Sequence, residues 1–241
     1  MENSEFCTSN REKHIKLVGT AICEIFTIYT IVTMLCNREA DRIALAFGTV
    51  VLAALPFLLE KLFRCRISLP LYIFALAYAI GPMLGNCWKL YYTLPGWDKL
   101  LHTTGGVMFV ILGACLFDFL MRGQKHQTAK VIFSFCFSVA VAALWEFCEF
   151  GADTLLGMDM QYDTVVHGLN SYLLGDRVGV VGSISDIESI TVNGVLLQTD
   201  GYIDIGLIDT MLDMLLETIG AVIACIIMWI DKGKHPLIKK V

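Results

Sequence analysis

Residues 97–106, WDKLLHTTGG, carry an Asp, a Lys and a His, and they lead without a break into VMFVILGACLFDFL, which ends at Leu120. An α-helix needs about 20 consecutive apolar residues to cross the hydrocarbon core of a bilayer. The stretch 100–120 therefore reads as a spanning helix with a polar head. The pattern repeats on both sides of it, with apolar runs at 17–36, 43–59 and 69–84 before it and at 131–150 and 205–230 after it. Pro56 is expected to kink the second run, Pro70 suits a first helical turn, and Gly81-Pro82 predicts a bend or stop in the third. The first run ends in TMLCNREADR rather than in small residues ready for cleavage, so it is read as a retained anchor.

Composition agrees with six spans. The chain has 241 residues, of which 56% are hydrophobic and 17% charged, against about 25% charged in an ordinary soluble domain. Mean hydropathy is +0.65. The expected fold is an all-α polytopic bundle of about six transmembrane helices, one integral membrane domain over residues 1–241 whose partners are membrane lipids. A large soluble catalytic domain is excluded. A formal charge of -5 and a pI near 5.5 exclude a nucleic-acid binder, which needs a concentrated basic face.

Basic residues set the orientation. Arg11, Lys13, Lys16, Lys61, Arg64, Arg66, Arg122, Lys125, Lys130, Lys232, Lys234, Lys239 and Lys240 all fall on one side of a six-span chain, and only Arg38, Arg42, Lys89, Lys99 and Arg177 on the other. The positive-inside bias then predicts both termini in the cytoplasm of a bacterial inner membrane protein. The connection 151–204 lies outside and is acidic, with Asp153, Asp159, Asp163, Asp176, Asp186, Glu188, Asp200 and Asp204 against Arg177. Within it ESITV and VLLQT flank Asn193-Gly194, the dipeptide of a tight β-hairpin turn. Upstream, DTVVHGLNSYLL is expected to form one short helix, with Asp163 and His167 one turn apart. The loop reads as a cover for helix ends or as a substrate lid.

Ionisable groups inside apolar helices are the functional signal. Asp98 and His102 stand four residues apart and share a helix face, from which Lys99 is expected to turn away. Glu146, Glu149 and Asp153 share a face at the end of the fifth span. Asp209, Asp213 and Glu217 descend the sixth at intervals of four. Unpaired carboxylates are costly in hydrocarbon, so the three stripes should face the bundle interior and converge. One imidazole among carboxylates suits a divalent metal, for which zinc, manganese and magnesium are all arguable. Without a metal, crowded carboxylates retain protons near neutral pH, as a general acid or a proton relay requires. The metal assignment takes Asp98, His102, Glu146 and Glu149 as ligands and Asp209 or Asp213 as ligand or general base. The structural alternative is that these acids cap helix ends and hold the bundle together.

Other features read structurally. Gly105, Gly106, Gly113 and Gly220 suit close helix packing. Trp88, Tyr91, Tyr92 and Trp97 suit an interfacial aromatic belt. Glu24 is an internal hydrogen-bonding group of the first span. The nine cysteines look like small buried hydrophobes, with Cys36 and Cys87 the one pair near a common boundary. No dinucleotide fingerprint, Walker loop, HExxH or DDxxD occurs.

WDKLLHTTGG, WEFCEFGADTLLGMDMQ and IDTMLDMLLETIGA together resemble the YjdF-like family of bacterial inner-membrane proteins and, more distantly, the VanZ-like proteins. The resemblance covers residues 97–222 and rests on Asp98, His102, Glu146, Glu149, Asp209, Asp213 and Gly220. It departs in the insertion 151–204 and at Glu217. It implies the helical membrane fold and, through the association of VanZ-like proteins with glycopeptide resistance, a lipid-linked or envelope substrate. Three functions follow as expectations: a metal-dependent enzyme on a lipid or envelope precursor at the outer side, a small transporter or proton-coupled permease, and a scaffold without chemistry.

Overall fold

A computed structural model describes residues 10–62, 65–121, 126–232 and 238–240. Arg64, Arg122, Lys125 and Lys234, four of the residues that set the expected orientation, lie outside them. Six long helices cross the membrane: α1 (Asn10–Asn37), α2 (Ala40–Leu62), α3 (Leu69–Cys87), α5 (Trp97–Leu120), α6 (Gln127–Leu156) and α7 (Leu207–Asp231), with a single turn α4 (Leu90–Thr93) between α3 and α5. The six-helix bundle with a small strand-bearing loop region is the fold the apolar runs predicted. Helices α1 and α6 extend a turn or more beyond those runs, because polar residues at their ends continue the helix, whereas α7 begins two residues inside its run.

The described chain forms two compact units. One takes in the residues up to Val139 and from Glu217 onward, the other Ala140–Leu216. In the first, α1 buries Lys16, Thr27, Thr30, Ile31 and Met34 at helical spacing and exposes Ile22, Ile25, Ile28 and Val32. A lipid-facing stripe and a packed stripe thus divide one helix. Thr27, Thr30 and Thr49 each donate their hydroxyl to the carbonyl four residues back, so their polar groups are satisfied within the helix. Lys16 is buried against Glu60 at 2.5 Å, also donates to the Ile67 carbonyl, and lies 5.1 Å from the centre of the Tyr72 ring. Glu60 accepts the Ile67 N–H at 2.7 Å, which clips the α2–α3 connection to α1. Helix α3 passes through Gly81-Pro82 to Cys87, which corrects the stop in the expected bend or stop, and Trp97 Nε1 donates to the Gly81 carbonyl at 3.2 Å. Trp88 stacks with Phe26 and Tyr29 and donates to Thr30 Oγ1 at 3.0 Å, so it packs onto α1. Cys36 and Cys87 are free thiols.

In the second unit, the end of α6 buries Ala142, Glu146 and Glu149 and exposes Leu144, Phe147 and Phe150. Three short antiparallel pairs follow: Val165–Val166 with Tyr202–Ile203, Leu169–Ser171 with Gly182–Ile184, and Thr191–Val192 with Val195–Leu196. The last is the hairpin expected at Asn193-Gly194, and both turn residues have the positive φ such a turn requires, 51° and 83°. The expected helix over DTVVHGLNSYLL is corrected. Val165 and Val166 are β-branched and find a ladder partner at Tyr202–Ile203, and only Tyr172–Leu174 forms a helical turn, of the 3-10 type. Asp163 and His167 consequently share no helix face, and His167 Nδ1 instead lies 3.0 Å from the Ile187 carbonyl oxygen.

Candidate functional site

The approach of α7 to α5 is set by glycine. A Cβ on Gly220 would collide with the carbonyl oxygen of Thr103, and one on Gly106 with the carbonyl oxygen of Glu217 and the amide of Ala221. Only hydrogen fits at both positions, so the two backbones touch. This small-residue packing is what brings membrane helices close. Ser138 of α6 donates to the Gly106 carbonyl at 3.2 Å at the same level. Val110, Ala221, Ala224 and Cys225 continue the contact as a buried cluster.

One turn before Gly106 on α5 stands His102, and one turn before Ala221 on α7 stands Glu217. His102 is 8% exposed and Glu217 4%. Asp98 Oδ1 lies 3.6 Å from His102 Nε2, and Glu217 Oε2 lies 3.9 Å from His102 Nδ1. The imidazole thus stands between two carboxylates, each just beyond hydrogen-bond distance. Lys99 Nζ holds the other oxygen of Asp98 at 3.1 Å, correcting the expectation that Lys99 turns away. Glu217 Oε1 is buried without a hydrogen-bond partner among the described residues. A buried carboxylate oxygen in that condition is costly unless a proton or a cation compensates it.

The donor set fits a metal. Two ligands about 2.1 Å from one tetrahedral ion are separated by about 3.4 Å, close to the observed separation of Asp98 Oδ1 from His102 Nε2. Glu217 on the opposite ring nitrogen is placed as an outer carboxylate that orients a ligating histidine. Asp98 and His102 therefore offer two ligand atoms to a candidate metal site, with Glu217 behind the imidazole. Sequence reading placed the Asp98–His102 face but assigned Glu217 no part in it. Its i, i+4 relation to Asp213 was visible, whereas its juxtaposition to His102 depends on the glycine contact.

The other candidate residues belong to the second unit. Glu146 and Glu149 are both buried on α6, and Trp145 Nε1 donates to Glu149 Oε1 at 2.7 Å. Asp213 is buried on α7. Asp209 accepts the Tyr162 N–H at 3.1 Å. Asp153 accepts the amides of Met160 and Gln161 at 2.6 and 2.9 Å, turning the chain after α6. Asp204 accepts from Thr164, Ile208 and Gly206 at 2.7, 2.8 and 3.3 Å. Burial pushes the Asp204 carboxyl up, but the backbone N–H groups of Thr164, Ile208 and Gly206 outweigh it and leave the group below its ordinary value. Asp159 is held above its ordinary value by burial and by the charges of Asp153 and Asp209. Asp163 is raised by burial and by Asp159, Asp204 and Asp153.

The chain belongs to the DUF2238 family, described as "Predicted membrane protein (DUF2238)", whose family model matches residues 18–234. No curated protein and no solved structure matches it.

Proposed function

We propose that this DUF2238 protein is a divalent-metal-dependent membrane enzyme whose metal is held at Asp98 and His102. The observation that carries the reading is the buried His102 flanked by Asp98 and Glu217, with one Glu217 oxygen left without a hydrogen-bond partner among the described residues. Helix α7 is unbroken, so Asp213 stands one turn before Glu217 on the same stripe. A bound ion would act as a Lewis acid or activate a water. The mixed nitrogen and oxygen donors admit zinc or manganese, and magnesium with more oxygen ligands.

The substrate class is supported by location. Asp98 and His102 stand in the first two turns of the spanning helix α5, at the depth where the reactive group of a lipid or envelope precursor would stand. The resemblance of residues 97–222 to YjdF-like and VanZ-like proteins supports the same class. The positive-inside pattern puts this end of the helices on the outer face, with both termini cytoplasmic.

A second reading is favoured by one observation, the contact of each His102 ring nitrogen with a carboxylate. Such an Asp–His–Glu series could pass a proton in a small permease. X-ray absorption fine structure separates the two. The full chain in detergent, loaded with Zn2+ or Mn2+, should show an imidazole nitrogen in the first shell, and His102→Ala should remove that signal. An imidazole signal that survives the substitution, or an all-water shell in the wild type, contradicts the metal reading.

A further inference from the structure

Between the paired strands Leu169–Ser171 and Gly182–Ile184 stands a ten-residue tip, residues 172–181, with the sequence YLLGDRVGVV. Water is a poor environment for it. Leu173 is 95% exposed and Val178 fully so, and Tyr172, Leu174, Val180 and Val181 are exposed as well. Six large apolar side chains within ten residues exceed the scattered exposure usual on a soluble surface.

The tip is held in shape. Leu173 N–H donates to Ser171 Oγ at 3.1 Å, Val180 N–H to the Arg177 carbonyl at 3.1 Å, and Ser183 Oγ to Asn170 Oδ1 at 2.7 Å. Gly175 and Gly182 admit neighbouring backbone where a Cβ would collide, at the Val180 and Leu174 carbonyls respectively. The fold thus presents the apolar side chains outward on a small rigid loop. Its two charges, Asp176 and Arg177, lie 3.8 Å apart and cancel. A neutral, aliphatic, ordered tip with one tyrosine is suited to the boundary between headgroups and acyl chains, where a Tyr ring sits with its hydroxyl toward water. The unit that carries the tip also contains the loop-side ends of the spanning helices α6 and α7, where Leu155, Leu156 and Leu207 are exposed.

We propose that residues 172–181 insert into the lipid interface of the membrane that the chain itself spans, as a membrane-dipping loop. This inference is independent of the metal centre. The test uses the full chain in phosphatidylcholine proteoliposomes, with Leu173→Trp and Val178→Trp as separate variants. The emission added over the wild type is read with lipids brominated near the headgroup and with aqueous iodide. Both exposed positions accept an indole, and two variants guard against one local failure. Insertion predicts blue-shifted added emission at both positions, quenched at least twofold by brominated lipid and little by iodide. Emission quenched by iodide and indifferent to brominated lipid overturns the proposal. Protection from both quenchers also overturns it, since that places the tip against protein, whether a second copy or another part of this chain.

Discussion

The carboxylates of the helix junction and those of the loop use one functional group in opposite ways. Around the loop, Asp153 and Asp204 each accept two or more backbone amides, and their negative charge shapes the chain. Between α5 and α7, Asp98 and Glu217 face an imidazole and not the backbone, and a Glu217 oxygen has no hydrogen-bond partner among the described residues. An acidic residue saturated by amides is structural. One held against a buried histidine at more than hydrogen-bond distance is arranged for a cation or a proton. The difference separates candidate chemistry from architecture in a chain where both kinds of acid are common.

Substitutions can break this contrast, and the largest effect is expected at the glycines. Gly220→Val should force α7 from Thr103 and cost about 3 kcal/mol or more, seen as a large loss of thermal stability in detergent. An unchanged melting curve would show that the two helices are not in backbone contact. Next, Glu217→Gln should leave the melting temperature within a few degrees while weakening zinc binding by about 10–100-fold, the usual effect of losing an outer carboxylate. Equal affinity in a calorimetric titration would remove Glu217 from the centre.

The loop side of the contrast predicts a smaller, pH-dependent effect. Asp204→Ala should cost about 1–2 kcal/mol, read as faster hydrogen exchange at the Thr164 and Ile208 amides with zinc affinity unchanged. Because Asp204 lies below its ordinary value, its contribution is full above about pH 4 and is lost as pH falls through its folded value. Asp159 and Asp163 lie above theirs, so their ionised forms oppose folding at neutral pH, and protonation relieves this first on acidification. Loop protection, corrected for intrinsic exchange, should therefore rise slightly below neutral pH before it falls. A monotonic decline would contradict these assignments.

Features with local causes were legible in the sequence. Six apolar runs mark six helices, Asn193-Gly194 marks a hairpin, and four-residue spacing marks the shared face of Asp98 and His102. Features set by distant partners were not. Val165 and Val166 become strand because Tyr202–Ile203 returns to pair with them. Asp153 shares a helical stripe with Glu146 and Glu149, yet its carboxylate is captured by amides seven and eight residues later. Glu217 meets His102 only because Gly106 and Gly220 let two helices touch. The helical period shows which residues share a face but not which helix that face meets.

Elemental analysis of the detergent-purified full chain, comparing the wild type with His102→Ala and with the loop variant Asp204→Ala, tests the central claim most directly. About one divalent metal ion per chain is expected in the wild type and in Asp204→Ala, falling to background in His102→Ala. No stoichiometric metal in the wild type, or equal metal in all three proteins, would contradict a metal centre at His102.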